Sequence, residues 1–400
     1  MLLALGSFPS DRAGAFVRHS GGYETFRPAD LLPDPAVEIG PQLGLLLSQA
    51  DQAIGRLDGA IRNMPNPDLF VAMYVRSEAV LSSQIEGTQS TLDDLLAVEL
   101  EPSLGEARDV DEIVNYVRAM KVGLERLESL PLSLRLIREI HAELLSGVRG
   151  ANRQPGEFRR DQNFIAAAGV RDIRQATFVP PTVPDMTAAL DNFEKFLHAP
   201  SDLPVLLAVG LAHAQFETIH PFADGNGRVG RLLITFQLVH TGVLHSPVLY
   251  LSLYLKRNRL EYYDQLMAVR HTGDWESWLR FFVRGVAETA EEASRKAQAI
   301  VALQEALRQQ IQADGLSTNA LRLLDHLFDR PLTHVKLAKD QLGVSFVTAN
   351  KLIEQFESAG IIREATGRKR DRVFRFEPYL ALFNENEPSK VEGSVEETAS

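Results

Sequence analysis

The stretch from His220 to Arg231, HPFADGNGRVGR, combines side chains that suit proton transfer, metal binding and anion binding. His220 carries an imidazole, the side chain best suited to removing a proton near neutral pH. Asp224 is a hard oxygen ligand of the kind that Mg²⁺ prefers. Two glycines around an asparagine and two arginines complete the stretch, so chemistry on a charged substrate is the first expectation.

The glycines of this stretch also match G-x-G-x-x-G, the pattern of a dinucleotide-binding turn, at Gly225, Gly227 and Gly230. That fold needs a hydrophobic strand directly before the first glycine and an acidic residue roughly 20 positions later. Here a helical stretch and HPFAD precede Gly225, and residues 244–253 contain no carboxylate. A dinucleotide-binding fold is therefore disfavoured.

A histidine-based metal site is the second alternative, built from His213, His220 and Asp224. The two histidines are two helical turns apart, but Pro221 breaks the helical register, and no glutamate base accompanies them as in H-E-x-x-H. This site is disfavoured too. His213, in an apolar stretch, is expected to be a core histidine with satisfied polar atoms.

Phosphate binding explains more of these residues at once. The sequence DGNG cannot continue a helix but can form a tight turn whose N–H groups point into one concavity, ahead of a helix that begins near Arg228. A helix N-terminus attracts anions, and Arg228 and Arg231 lie on neighbouring positions of the first turn. A base, a metal ligand, an anion-binding turn and two cations together indicate group transfer from a nucleotide.

Helices are expected on both sides of the stretch. Residues 204–218, PVLLAVGLAHAQFET, are too long and too alanine-rich for a strand and predict a buried helix. RLLITFQLVHTG predicts a second one, stopped by Gly242. Upstream, residues 109–145 have helical spacing and should bury one face, and further helices follow through residues 258–310. The apolar positions of the upstream segment are Ile113, Val117, Met120, Leu124 and Leu127.

The composition is that of an ordinary globular protein. Its 400 residues, 45% hydrophobic and 24% charged, predict two or three domains. No apolar run approaches the roughly 18 residues of a membrane helix, and the opening segment is too weakly apolar for a signal peptide, so a cytoplasmic location without membrane contact is expected. The chain has no cysteine, which excludes disulfides and cysteine-ligated zinc. A net charge of −11 argues against nucleic-acid binding by the whole surface but allows a local basic patch.

At every fixed position the stretch matches H-P-F-x-[DE]-G-N-G-R-x-x-R, and in this the chain resembles the Fic-domain family. The resemblance implies a mainly α fold and a protein adenylyltransferase, which moves AMP from ATP to a hydroxyl side chain of a target protein with the help of Mg²⁺. It implies His220 as the general base and Asp224 as the metal ligand. Pro221 and Phe222 would then shape the loop and fill the core.

The resemblance also assigns the phosphates of ATP. By that assignment Asn226 and the backbone of Gly225 and Gly227 hold the α- and β-phosphates, Arg228 the middle phosphates and Arg231 the γ-phosphate, with Val229 and Gly230 completing the ATP-binding residues.

A second motif, SSQIEG at residues 82–87, ends an apolar helical stretch that meets Gly87. By itself it predicts only a helix end with a solvated glutamate. Beside the first motif it resembles the family's inhibitory pattern [ST]-x-x-x-E-[GN], with Ser82 and Glu86 in fixed positions. A Glu86 carboxylate paired with Arg231 would occupy the guanidinium that the γ-phosphate needs. The protein is therefore expected to be autoinhibited by its own N-terminal segment.

Between residues 150 and 184, FIAAAGV and ATFVPP flank the polar RDIRQ, a pattern that predicts a β-hairpin ended by the double proline. In the resembling family this hairpin is a flap whose edge can pair with an extended target segment. An ordinary surface hairpin stays the alternative, and Ile165 is the expected clamp on the target. In RLEYYDQL, Tyr262 and Tyr263 stand where relatives contact the adenine or ribose, and Tyr263 is the preferred candidate.

The C-terminal segment follows a composition shift near residue 313 and resembles a winged helix-turn-helix. A short helix leads to Gly343, Ser345 is expected to cap a second helix, and a strand, a basic turn and a strand follow. DNA binding and protein interaction stay open as roles. The apolar residues of the second helix are Val347, Leu352, Ile353 and Phe356, and the candidate DNA contacts are Thr348, Asn350, Lys351, Arg368, Lys369 and Arg370.

Four regions are predicted along the chain. They are an N-terminal helical segment with the inhibitory motif (1–105), a Fic core with its flap (106–300), a linker helix with the winged helix (301–384) and a disordered tail (385–400). An autoinhibited protein adenylyltransferase is the leading hypothesis. Transfer of another nucleotide or a phosphate, removal of AMP with Glu86 positioning a water, and a DNA-binding regulator with a nucleotide-sensing core are the alternatives. The expected partner is a target protein with an acceptor Ser, Thr or Tyr, with DNA and a second copy of the chain as further candidates.

Overall fold

Helices make up most of the protein, which confirms the mainly α fold expected from the sequence. The chain divides into two units between Ala297 and Gln298, and each is described by itself. The computed structural model describes residues 12–64, 66–101, 109–148, 153–200, 202–368 and 370–383.

Ten helices and one antiparallel strand pair belong wholly to the described part of the first unit, and an eleventh helix begins there and ends in the second. The strands are β1 (Gly14–Arg18) and β2 (Glu24–Pro28), and the helices are α1 (Pro41–Arg62), α2 (Pro67–Ile85), α3 (Leu92–Leu100), α4 (Val110–Leu127), α5 (Leu134–Leu144), α6 (Val183–His198), α7 (Val205–Ile219), α8 (Asn226–His240), α9 (Ser252–Arg257), α10 (Arg259–Thr272) and α11 (Trp275–Ala313).

Helices α7 and α8 form the centre of this unit and pack against each other. The buried helix predicted at residues 204–218 is α7, whose alanine, leucine and valine side chains pack into the core together with the buried polar residues His213, Gln215 and Glu217. The predicted second helix is α8, which begins at Asn226, two residues before Arg228. It ends before Gly242, whose φ of 73° suits a glycine.

The predicted amphipathic segment at residues 109–145 is two helices, α4 and α5. Ser133 caps α5, where its side chain accepts a hydrogen bond from the Leu136 N–H. Ile113 and Met120 of α4 are buried, as expected from the helical spacing. Helix α4 packs against α2, α5 and α8, so the N-terminal helices form one core with the central pair.

The hairpin predicted between residues 163 and 180 forms only one isolated bridge, between Ile165 and Phe178. The residues after Ile165 are small and offer little cross-strand packing, and Asp172 caps a short 3₁₀ helix at Ile173–Gln175. The flap is therefore a loop held at its base, which corrects the expected strand ladder.

A β-hairpin lies instead at β1 and β2, within the N-terminal segment (1–105) that the sequence predicted to be helical. Its five residue pairs run from Gly14 with Pro28 to Arg18 with Glu24. The N–H of Phe26 donates to the carbonyl oxygen of Val179 at 2.9 Å, so this hairpin packs against the end of the flap segment.

In its described residues, the second unit contains three larger helices and a small sheet with the strand order β3-β5-β4. Ser345 caps α14 as expected, accepting a hydrogen bond from the Thr348 N–H at 3.1 Å. Val347 is 77% exposed, which corrects its placement with the apolar residues, because it lies about 140° around the helix from Leu352. The elements are α12 (Thr318–Asp329), β3 (Leu332–Thr333), α13 (Val335–Leu342), α14 (Phe346–Ser358), β4 (Arg363–Glu364), β5 (Phe374–Arg375) and α15 (Glu377–Leu380).

The predicted disordered tail at residues 385–400 lies outside the described residues. Among the helices of the described ranges, none is both long enough and apolar enough to cross a membrane.

The close packing of α4 on α8 gives a stability test. A methyl group at Gly123 of α4 would overlap the ring of Phe236 on α8, whereas one at Gly55 of α1 meets nothing within 4 Å. Gly123→Ala is expected to lower the free energy of unfolding by about 1–3 kcal/mol through overpacking. Gly55→Ala, the control, should raise it by about 0.5–1 kcal/mol. Urea denaturation measures both, and equal effects would contradict this account of the packing.

Candidate active site

The loop from His220 to Gly225 joins α7 to α8 and fixes where the site residues point. His220 ends α7 in the left-handed region, with φ 48° and ψ 61°, and its N–H still donates to the Phe216 carbonyl oxygen at 2.9 Å. Gly225 begins α8 with a φ of 78°, which glycine adopts without strain. Phe222 is fully buried between them. The loop therefore places His220 at the same end of the helix pair as the first turn of α8.

Asn226 holds this loop closed from inside. Its Oδ1 accepts from the Phe222 N–H and its Nδ2 donates to the Phe222 carbonyl oxygen, both at 2.8 Å, and the residue is 2% exposed. The expected contact of its amide with a phosphate does not fit this geometry, because both polar atoms face the backbone of Phe222. The anion-binding groups at this position are the first N–H groups of α8, which have no acceptor within the helix.

Arg231 brings the two sequence motifs together. Its Nη2 donates to Glu86 Oε1 at 2.7 Å and to the Ser82 carbonyl oxygen at 2.9 Å, and its Nε donates to Ser82 Oγ at 2.7 Å. The Arg231 side chain is 2% exposed and that of Glu86 34%. The carboxylate lies over Gly227, where any side chain would overlap it. Glu86 therefore covers both the guanidinium and the anion-binding turn.

Electrostatics hold Glu86 in its ionised form. Burial would raise the pKa of Glu86, but the charge and hydrogen bond of Arg231 outweigh it and keep the pKa below its usual value. Glu217 on α7 lies nearby and behaves in the opposite way. Burial raises the pKa of Glu217 to about 7, and its Oε1 has no hydrogen-bond partner among the described residues.

Arg228 points toward the N-terminal helices rather than outward. Its Nη1 donates to Glu112 Oε2 of α4 at 2.9 Å, and both side chains are at most 4% exposed. Its Nη2 lies 3.7 Å from Asp224 Oδ1. The contact of Arg228 with the middle phosphates stays a prediction, and in this structure its guanidinium contacts a buried carboxylate.

His141 supports the loop, and sequence reasoning did not single it out. Its Nδ1 accepts from the Gly156 N–H at 2.8 Å, so its Nε2 carries the proton and donates to the Asp224 carbonyl oxygen at 3.0 Å. Its ring stacks on Phe222 with 3.7 Å between centroids, and burial lowers the pKa of His141 to about 4. In the sequence, His141 is recognisable only as a histidine at a position of α5 where the helical repeat places apolar residues.

Arg159 and Asn163 were also missed, although they lie in the flank of the flap. Arg159 Nε donates to the His220 carbonyl oxygen at 3.1 Å, and its Nη2 donates to that of Pro181 at 2.6 Å. Asn163 Nδ2 donates to the Phe222 carbonyl oxygen at 3.0 Å. These bonds connect the base of the flap to the loop that carries His220.

The His220 ring is neutral at physiological pH. Burial lowers its pKa to about 4, with further lowering by Arg270 and Arg159 and an opposing effect of Glu86. Its Nδ1 is buried without a hydrogen-bond partner among the described residues. A neutral imidazole can accept a proton, as a general base must.

The two tyrosines behave differently. Tyr262 is 1% exposed and its hydroxyl contacts His213 Nε2 at 2.9 Å, so it is a core residue, which corrects its inclusion among the ATP contacts. Tyr263 is 40% exposed and stays a candidate. His213 also contacts the Gly230 carbonyl oxygen at 3.2 Å, which confirms it as a satisfied core histidine.

The candidate DNA contacts of the second unit are spread over α14 and the β4–β5 turn. Thr348, Lys351, Arg368 and Arg370 are exposed. The half-buried Asn350 donates to Glu354 Oε1 at 2.7 Å, so its amide is engaged within the helix. Lys369 lies outside the described residues.

The residues around Asp224 fit Mg²⁺ brought in with phosphates. Asp224 has a 39% exposed side chain, and its Oδ1 accepts from the Gly225 N–H at 2.7 Å. A Mg²⁺ ion bound to phosphates takes only one or two protein carboxylates. In the alternative site His213 would be a ligand, but its Nδ1 contacts the Gly230 carbonyl oxygen and its Nε2 the Tyr262 hydroxyl.

The site combines, within a helical core, a glycine turn at a helix start, a neutral histidine and a carboxylate paired with the nearby arginine. Comparison with known proteins names the family. The model of the Fic/DOC family N-terminal region matches residues 45–125, and that of the Fic/DOC family matches residues 131–238. The two matched ranges include Glu86 in the first and His220 to Arg231 in the second.

Individual relatives agree with this assignment. "Protein adenylyltransferase Fic" of Drosophila virilis is 30% identical over 246 residues, which cover 60% of this chain and 44% of that protein. The protein of the same name from Aedes aegypti is 32% identical over 210 residues, covering 51% and 36%. The chain thus spans less than half the length of these curated relatives. The crystal structure of a Fic family protein from Desulfovibrio desulfuricans G20, 20% identical, shares the fold over 85% of this chain and 97% of that one, with a TM-score of 0.53.

The environment of His220 gives a prediction that needs no substrate. In NMR spectra of the histidine rings, His220 should stay neutral at pH 6 and titrate with a pKa of about 4. Glu86→Gly should lower that pKa further, because the negative charge of Glu86 favours the protonated ring. His220→Gln identifies the signal. A titration midpoint near 6.5 would contradict the buried, cation-flanked site.

Proposed function

We propose that this protein is an autoinhibited protein adenylyltransferase, which transfers AMP from ATP to a hydroxyl side chain of a target protein. The observation that carries the proposal is the pairing of Glu86 with Arg231 over the anion-binding turn, with neutral His220 at the same end of the helix pair. A carboxylate occupies the position where a phosphate would otherwise meet a buried arginine.

In the proposed reaction the hydroxyl oxygen of the target attacks the α-phosphorus of ATP. A new P–O bond forms, the bond from the α-phosphorus to the bridging oxygen breaks, and pyrophosphate leaves with the bonding electrons. His220 takes the proton of the hydroxyl. The first N–H groups of α8 hold the phosphates and Arg231 stabilises the γ-phosphate. Asp224 would hold Mg²⁺, which neutralises charge on the phosphates when bound.

The flap segment supplies a place for the target. Ile165 at the base bridge is the proposed clamp, and the exposed loop beyond it can contact an extended segment that carries Ser, Thr or Tyr. Tyr263 is the proposed contact for the adenine or ribose, since it is the more exposed of the two tyrosines.

Replacement of the inhibitory Glu86 tests the proposed function. Glu86→Gly should raise the transfer of label from α-labelled ATP, to the protein itself or to proteins of a host lysate, by more than about tenfold, because a hydrogen bond to a charged group is worth about 1.5–3 kcal/mol. Glu86→Gly/His220→Ala should be inactive. Glu139→Gln, which removes an ion pair with Arg126 away from the motif, is the control.

The position of the label separates the enzyme alternatives. Label from the γ position would mean that a phosphate is transferred, and loss of pre-attached AMP would mean that Glu86 positions a water for AMP removal. No transfer from either position, with intact nucleotide binding, would contradict the enzyme and favour a nucleotide-sensing regulator.

We further propose that the second unit is a winged helix-turn-helix that binds DNA phosphates. The supporting observation is the exposure of Thr348 and Lys351 on α14 and of Arg368 and Arg370 in the turn between β4 and β5.

Arg368→Ala/Arg370→Ala should weaken the mobility shift of the DNA upstream of the protein's own gene at low salt and reduce the salt slope of log affinity by about 2. Lys121→Ala/Arg135→Ala, which removes two exposed charges of the first unit, is the matched control. If the unmodified protein gives no shift, protein interaction becomes the better account, with the exposed Phe346 and Val347 as its surface.

A further inference from the structure

A chain of three charged side chains runs from the N-terminal helices to the proposed metal ligand. Glu112 lies in the first turn of α4, Arg228 in the first turn of α8, and Asp224 in the loop before it. Arg228 Nη1 is 2.9 Å from Glu112 Oε2, and its Nη2 is 3.7 Å from Asp224 Oδ1. One guanidinium therefore lies between two carboxylates, with the shorter contact to Glu112.

The burial of Arg228 makes this arrangement sensitive to its partners. The side chain is 3% exposed, and its Nε has no hydrogen-bond partner among the described residues. A buried charge that loses its counterion is strongly unfavourable, so the guanidinium would shift toward the nearest other carboxylate. That carboxylate is Asp224, which is held by the Gly225 N–H and, through its carbonyl oxygen, by His141.

We propose that Glu112 is a positioning residue, which holds Arg228 away from the Asp224 carboxylate and so keeps Asp224 available for the divalent cation that accompanies the nucleotide. The inference rests on the proposed function of the site but assigns a role to a residue outside both sequence motifs. Without Glu112, Arg228 pairs with Asp224 and competes with the metal for the same carboxylate.

Glu112 and Glu86 each contact one arginine of the same motif, yet they have opposite effects. Glu86 is a third exposed at the end of α2, where it covers a group that the nucleotide needs. Glu112 is 4% exposed inside the packing of α4 on α8. The proposal requires that it stay in place when the nucleotide binds. Loss of Glu86 should therefore increase the affinity for the nucleotide. Loss of Glu112 should instead reduce the increase in nucleotide affinity that the metal causes.

The experiment measures how much a metal improves nucleotide binding, independently of turnover. The full chain with Glu86→Gly is the parent, and the probe is the ATP analogue with a methylene group between the α- and β-phosphates, which the reaction cannot cleave there. Calorimetry gives its Kd with Mg²⁺ and with a chelator. Glu112→Gln is expected to reduce the gain in affinity that Mg²⁺ gives by about tenfold. The Kd measured with Mg²⁺ should change more than the Kd measured with the chelator.

A second variant separates positioning from loss of structure. In Glu112→Gln/Arg228→Met the competing cation is gone, so the gain in affinity from Mg²⁺ should return to the parent value. Glu139→Gln, which removes the Arg126 ion pair at the other end of α4, should leave the gain unchanged. If Glu112→Gln alone does not fold, the double variant is compared directly with the parent.

If Glu112→Gln leaves the gain in nucleotide affinity from Mg²⁺ unchanged, the proposal is overturned. It is also overturned if Glu112→Gln reduces this gain and the double variant does not restore it. These outcomes do not depend on AMP transfer. If the parent transfers no label, the proposed function fails, while the affinity ratio still tests the role of Glu112.

Discussion

The buried charge of Arg231 is the constraint on which the site depends. A guanidinium with 2% exposure cannot stay unpaired, so a negative group must always face it. In this structure the group is Glu86, and in the proposed reaction it is the γ-phosphate. Two anions cannot share the position, because like charges at that distance repel strongly in a buried site. The proposed inhibition therefore follows from the need of one arginine for one anion, and it requires no change of fold.

The sequence predicts the main helices of the fold and the pairing of Glu86 with Arg231 in the site. The stretch at residues 204–218 is predicted to be a helix because it is too long and too alanine-rich for a strand, and Gly242 predicts the end of the next helix. Glu86 and Arg231 were paired from motifs 145 positions apart, and the structure places them 2.7 Å apart. These predictions succeeded because periodicity and residue chemistry are local properties of a sequence, and the motifs are long enough to be specific.

The rest depends on contacts between distant segments, which periodicity does not contain. Glu112, His141 and Arg159 look like ordinary helix or loop residues until α4, α5 and the flap meet the loop after α7. Tyr262 and Tyr263 were indistinguishable as neighbours, and only packing against His213 shows which of them is core. The expected flap ladder was wrong for the same reason, since its small residues form one bridge where a strand pattern predicted several.

The N-terminal helices are part of the site because the Fic motif has two arginines but only one acidic residue to neutralise their charge. Arg228 and Arg231 add two buried charges at the start of α8, and Asp224 is the one acidic residue of the motif. Helices α2 and α4 supply the remaining carboxylates, one at an exposed helix end and one in the core. A counterion that can leave, as proposed for Glu86, allows the site to switch between two states. A counterion that stays, as proposed for Glu112, fixes the position of its arginine. In the proposed mechanism, the depth at which each glutamate lies therefore decides whether it regulates the site or positions it.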